Sequence, residues 1–110
     1  MASIGQDFEL WDGNDDIEIF DVTGNVEGGT ASWKASDRLD TDGSPYTVTK
    51  VPSVGAYVSA TGTTPVTLTI DAADFNGYPG TYDHELTVTL GGKVRTVAVG
   101  TLTVHSSLVT

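Results

Sequence analysis

Two segments in the second half of the chain constrain the fold more than any other feature. In residues 65–70, Val, Leu and Ile alternate with Thr or Pro, and the later part of residues 80–90 alternates in the same way. A period of two puts apolar side chains on one face of a strand and polar side chains on the other. Tyr82 stands just inside the second strand, and residues 71–75 before it can form one helical turn, with Phe75 pinning that turn to the core. The pattern is typical of a crossing between the two sheets of a β-sandwich.

Turn-forming residues divide the rest of the chain at roughly 8–12 residue intervals, which is the spacing of an all-β sandwich or barrel. We predict one domain over residues 1–110, an antiparallel two-sheet sandwich of about seven or eight strands with immunoglobulin-like crossing. The predicted strands are residues 6–11, 17–22, 30–36, 46–51, 56–60, 65–70 and 80–90, with a last strand from Lys93.

Side-chain alternation predicts the environment of several aromatic residues. Phe8 shares a face with Leu10, while Trp11 takes the other face beside a turn and is at best half exposed. Trp33 lies between two inward alanines and is predicted to be in the core. Tyr82 is predicted to form a tyrosine corner, in which its hydroxyl bonds to the backbone a few residues upstream.

The Gly91-Gly92 pair predicts a two-residue hairpin, because a type I′ turn needs positive φ at both central residues. This turn would pair Val88 with Arg95, and it would continue with Leu86 facing Val97 and His84 facing Val99. Apolar residues farther along, Leu102 and Val104, match that face only if one residue is skipped. We therefore predict a β-bulge at Gly100, since Gly within a strand often marks one.

Charge and composition exclude several functions. The 110 residues carry a formal net charge of -10, with five Lys plus Arg and no Cys, so phosphate backbones would be repelled and no thiolate site exists. We expect no nucleic-acid partner and no membrane span. The N-terminus has no basic region followed by an apolar stretch, so we expect no secretory signal, and release from a cell would need a route such as lysis.

An acidic turn offers the one weak metal candidate. Asp12, Asn14 and Asp16 have the spacing with which a calcium loop begins, and Asp40 or Asp42 could complete the site. The sixth position is Ile17 rather than Gly, and the twelfth is Thr23 rather than Glu, so a solvated turn is the default expectation. We expect no other cofactor.

No catalytic motif is present, and we predict no catalytic residues and no enzyme. The two histidines, His84 and His105, lie on different strands with no metal-ligand spacing around them. Trp11 and Tyr57 are the interface candidates, since exposed aromatic side chains often anchor partners. Residues 46–49 and 56–59 carry no charge, so they are candidates for a packed edge or an assembly surface.

Three stretches, residues 70–75, 79–86 and 92–104, together resemble the small immunoglobulin-like β-sandwich proteins of tailed bacteriophage virions. Upper-baseplate N-terminal domains and neck, head or tail accessory proteins share this layout. The resemblance covers roughly residues 4–105, and its motifs are structural. It implies an architectural protein that is made in the host cytoplasm and docks on other virion proteins, as a symmetric homo-oligomer or in many copies.

Two alternatives remain open at this point. A carbohydrate- or receptor-binding module would cluster exposed aromatic residues, for instance Trp11 with Tyr57 or Tyr78. A small enzyme on a β scaffold would have a concave pocket where acids and a histidine converge.

Overall fold

The computed structural model describes residues 4–5, 7–37 and 46–106. These residues form strands and turns, and among them no helix is long and apolar enough to cross a membrane. The strands are β1 (Ile4–Gly5), β2 (Phe8–Trp11), β3 (Asp16–Thr23), β4 (Thr30–Asp37), β5 (Thr47–Lys50), β6 (Ser53–Val54), β7 (Thr63–Ile70), β8 (Gly80–Leu90) and β9 (Lys93–His105).

The strands form two sheets. The larger sheet has the order β1-β9-β8-β4-β5, with β2 also paired to β9, and the smaller sheet has the order β3-β7-β6. Because β1 and β2 lie along β9 in one continuous register, they count as one interrupted strand, and the total of eight agrees with the predicted seven or eight. The all-β sandwich is confirmed. One detail differs, since β1 and β2 run parallel to β9, so the larger sheet is mixed.

The core lies between the sheets and is built from alternate residues of each strand. Phe20 and Val22 of β3 pack toward Trp33 of β4 and Leu86 of β8, and all four are almost completely buried. The predicted core position of Trp33 is confirmed. Its indole N–H donates a hydrogen bond to Nδ1 of His84 at 3.2 Å, so the two buried polar groups satisfy each other.

The β8–β9 hairpin confirms the predicted turn but moves the bulge. Gly91 and Gly92 have φ of 61° and 77°, and Val88 pairs with Arg95 as predicted. The register then shifts between Leu86 and Thr87, so Leu86 pairs with Ala98 and His84 pairs with Gly100. The bulge at Gly100 and the predicted pairs beyond Val88 are wrong. A bulge at Val97 buries both Val97 and Ala98 and still turns Leu102 inward.

Two local predictions are wrong. Residues 56–60 are not a strand, because the Val58 carbonyl accepts hydrogen bonds from Thr61, Gly62 and Thr63 and closes a tight turn. Residues 71–75 form hydrogen-bonded turns without a helix. There the Asp74 carboxylate accepts from the Asp71 amide at 2.8 Å. Phe75 is buried as predicted.

Tyr82 forms the predicted corner. Its side chain is fully buried, and its hydroxyl donates to the carbonyl of Tyr78 at 2.7 Å. Burial, with the nearby Asp37 carboxylate as a smaller cause, raises the pKa of this hydroxyl far above its ordinary value. The hydroxyl therefore stays protonated and remains a hydrogen-bond donor throughout the physiological pH range.

Tyr82→Phe should destabilise the fold by about 1 kcal/mol or more, because the Tyr78 carbonyl loses its donor while the packing of the ring is kept. Chemical denaturation of both proteins measures the difference. Tyr57→Phe is the control, since no hydrogen bond of its hydroxyl is seen within the described residues. Equal stability of wild type and Tyr82→Phe would contradict the corner.

Gly91→Val should cost about 1–3 kcal/mol, because a β-branched residue resists the φ of 61°. Gly91→Asn should cost much less, since Asn accepts this conformation. A Cβ at Gly91 would meet no atom within 4 Å, so steric crowding does not confuse the comparison. Thermal melts of the two variants should separate clearly, and coincident melts would mean that the turn has another geometry.

Candidate functional site

The outer face of β3 carries two exposed isoleucines. Ile17 is 61% exposed and Ile19 is 55% exposed, although the next apolar pair on the strand, Phe20 and Val22, is buried. Alternation along the strand puts Ile17 and Ile19 on one face and Phe20 on the other, and the burial pattern agrees. Alternation alone did not decide which face points inward. A strand has only two faces, so one apolar pair has to lie outside.

β3 is also an edge strand. Among the described residues it pairs only with β7, in an unbroken register from Asp16 to Thr23. In an immunoglobulin-type sandwich, the first strand lies beside the second in the same sheet. Here the first strand, β1 with β2, pairs with β9 instead. The position next to β3 is therefore not filled by any described strand.

The pairing with β7 shows which backbone groups face this edge. Pro65 lies opposite Asp21, and the Pro65 carbonyl accepts from the Gly55 amide at 2.8 Å, on the side of β7 away from β3. Opposed residues in an antiparallel ladder alternate between bonded and non-bonded pairs. The backbone groups of Ile17, Ile19 and Asp21 therefore point away from β7, toward the edge.

The edge has little of the protection that edge strands usually carry. Residues 16–23 contain no Pro and no Lys, and their ladder has no bulge. Two devices are present. Glu18 places a charge on the inward face of the strand, and an Asp16 carboxylate oxygen accepts from the Ile17 amide at 2.8 Å. We name the surface formed by this edge and the two isoleucines the β3 edge.

The surroundings of the β3 edge are acidic. Residues 1–33 contain no Lys or Arg, and residues 51–70 contain no charged residue of either sign. The first of these stretches carries eight acids, namely Asp7, Glu9, Asp12, Asp15, Asp16, Glu18, Asp21 and Glu27. Three of these acids, Asp16, Glu18 and Asp21, lie on β3 itself, and a local excess of negative charge favours partners of the opposite sign.

The residues of the calcium candidate have other contacts. Asp12 is buried, and Asp16 caps the Ile17 amide. Asp15 in the same turn accepts from the Ala72 amide at 2.7 Å. Within the described residues no group of three acidic, His or Cys side chains is placed to hold a metal ion. Asp40 and Asp42 lie outside the described residues, and calcium binding stays a prediction.

The two aromatic interface candidates lie at opposite ends of the sandwich. Trp11 is 45% exposed and packs on the His105 ring with centroids 4.8 Å apart. Tyr57 is half-buried, and its amide donates to the Glu27 carboxylate at 2.8 Å. Trp11 pairs with the end of β9, near the start of β3, whereas Tyr57 lies near the end of β3. They therefore do not form one surface, and a role for either in an interface stays a prediction.

Tyr78, the other aromatic candidate, lies at the same end as Trp11. Its ring stacks on Tyr46 with centroids 3.7 Å apart. Lys50 below this stack reaches Asp71 at 3.0 Å and Asp74 at 2.8 Å. Its pKa is raised, chiefly by the hydrogen bond to Asp74, against a smaller opposing effect of burial. Lys50 thus offsets one of these two carboxylate charges.

A shallow groove of about 750 Å³ lies on the outer face of the larger sheet. Asp83, Glu85 and Lys34 line it. His84 contributes to its floor, but the imidazole is buried on the inner side, in contact with the Phe8 and Trp33 rings. The groove therefore does not bring an accessible imidazole together with its carboxylates.

The two uncharged segments identified in the sequence lie in different kinds of structure. Residues 46–49 largely coincide with β5, which is an edge strand of the larger sheet. Residues 56–59 lie in the turn before β7.

Sequence reasoning missed the β3 edge. Two features of the sequence could have indicated it. One is the presence of two apolar pairs on opposite faces of the same strand, and the other is the absence of Lys and Arg before residue 34.

No protein-family model matches the chain, and no curated protein matches it.

Ile17→Thr with Ile19→Thr should leave stability within about 0.5 kcal/mol of wild type, because both side chains are largely in water and Thr keeps the β-branched shape. Phe20→Ala, the buried neighbour, should cost about 3–5 kcal/mol. Urea denaturation of the three proteins tests this. A large loss in the double Thr variant would mean that the isoleucines are core residues.

Proposed function

We propose that this protein is a non-enzymatic structural component of a tailed bacteriophage virion, in the head, neck or tail, and that it acts by binding neighbouring proteins. The observation that carries the proposal is the β3 edge, where Ile17 and Ile19 are exposed on a strand that, among the described residues, pairs only with β7. The virion setting is supported by the resemblance at residues 70–75, 79–86 and 92–104.

An open edge with apolar side chains is costly for a protein that works alone. Exposed Ile side chains forgo the stabilisation of burial, and unprotected edges invite pairing with other chains. Proteins that assemble use such surfaces to bind their neighbours. The acidic charge keeps free copies soluble before assembly.

The candidate catalytic groups support a role without chemistry. His84 is a core residue bonded to Trp33, and His105 is paired with Glu9 at 2.8 Å. Neither imidazole faces the groove on the larger sheet. Assembly in several copies, with other virion proteins as partners, accounts for a well-built sandwich whose conspicuous exposed features are apolar or acidic.

Virus particles from the cells that make this protein provide the test. Nuclease-treated particles are banded on a density gradient, and the chain is quantified by mass spectrometry against a capsid protein. We expect several copies per particle at a fixed ratio, while an abundant host cytosolic protein serves as the contamination control. A chain that stays in the soluble fraction, with complete particles elsewhere on the gradient, would overturn the proposal.

The stable double variant Ile17→Thr, Ile19→Thr links the proposal to the β3 edge. When it replaces the wild-type chain, we expect its copy number per particle to fall, because the apolar part of the contact is lost. Glu85→Gln, on the outer face of the larger sheet, should enter particles normally. Equal incorporation of both variants would mean that assembly uses another surface.

A further inference from the structure

We infer that the β3 edge accepts one extended strand from a different protein, and that this strand presents two apolar residues, flanked by Lys or Arg, on the face that covers the isoleucines. The inference rests on the proposed function and names its mode of contact and the chemistry of the partner. In this mode of recognition, backbone hydrogen bonds supply affinity and alternate side chains supply specificity.

The geometry of the edge suits strand addition. Ile17, Ile19 and Asp21 each turn one N–H and one C=O toward the edge, at the two-residue spacing of a β-ladder. The Ile17 amide is already held by the Asp16 carboxylate. The amides of Ile19 and Asp21 are therefore the groups that an added strand would newly protect.

Side chains set the composition of the partner. A residue that forms a bonded pair with Ile17 or Ile19 projects on the same outer face, where apolar atoms would cover the two exposed isoleucines. A residue opposite Asp21 meets a carboxylate, and Asp15 and Asp16 lie at the other end of the segment. Basic side chains fit these positions, and apolar side chains fit between them.

Charge argues against a second copy as the occupant. Two copies pairing through β3 would bring together two strands that each carry Asp16, Glu18 and Asp21 and no Lys or Arg, within chains of net charge -10. Like charges opposed across a ladder are destabilising. A basic strand from another protein meets the β3 carboxylates with the opposite charge, whereas a second copy meets them with the same charge.

The test uses the full chain, labelled with ¹⁵N, and a synthetic peptide of sequence Lys-Thr-Val-Thr-Val-Thr-Lys. Amide spectra and hydrogen exchange are recorded with and without the peptide. In the free protein we expect fast exchange at Ile19 and Asp21 and slow exchange at Phe20 and Val22, whose amides bond to β7. With the peptide, the Ile19 and Asp21 amides should become protected.

Two matched peptides separate the contribution of charge from that of backbone hydrogen bonding. Replacing both Lys by Glu should abolish the effect, and N-methylating the two Val residues should abolish it while leaving charge and apolar surface in place. The inference is overturned if the Glu peptide protects the same amides, if the largest shifts fall on another strand, or if the Ile19 and Asp21 amides do not respond.

A charge variant makes the test quantitative. Asp21→Lys should weaken peptide binding by about fivefold or more and reduce its dependence on salt. Glu85→Lys makes the same change of charge on the larger sheet and should have a much smaller effect. Equal effects of the two variants would mean that only net charge matters, and would overturn the assignment to the edge.

The outcomes are distinguishable from those of the particle experiment. A chain found in particles whose edge amides ignore the peptide would leave the proposed function standing and end this inference. If the peptide protects the edge amides but the chain is absent from particles, the binding mode stands and the proposed virion function fails. Protection that rises with protein concentration alone, without peptide, would identify a second copy as the occupant and contradict the inference.

Discussion

The alternation of side chains along β8 is the constraint on which the rest of the structure depends. β8 is the central strand of the larger sheet, bonded to β9 on one side and to β4 on the other. Its inward residues, from Tyr82 through His84 and Leu86 to Val88, are all buried. A slip of one residue would expose this whole set, so the registers of both neighbours follow from it.

Polar groups inside the core are satisfied in ways that reinforce this register. Trp33 and His84 bond to each other across the β4–β8 pair, and the Tyr82 hydroxyl bonds to the carbonyl of Tyr78. Buried polar groups without partners cost more than their bonds contribute, so alternative registers are penalised. A rigid sandwich can then hold an open strand edge without losing its own pairing.

Much of the fold was predictable because local alternation and turn chemistry are encoded by neighbouring residues. The Gly91-Gly92 turn and the corner at Tyr82 belong to this class. The position of the bulge was not predictable in this way, because Gly100 offered a local signal, whereas the shift falls at Val97, where Val97 and Ala98 are both buried in the core. Residues 56–60 look like a strand but close a turn, since the bridge between Val58 and Thr63 decides their path.

By itself the sequence determined that the chain is acidic and all-β, that β8 and β9 form a hairpin, and that Ile17 and Ile19 face away from Phe20. These follow from charge and from a two-residue period, which need no distant contact. Only the tertiary structure decided that Phe20 points inward and that β3 is left at an edge. The edge position of β3 follows from the pairing of β1 and β2 with β9, a contact between residues more than ninety positions apart in the chain.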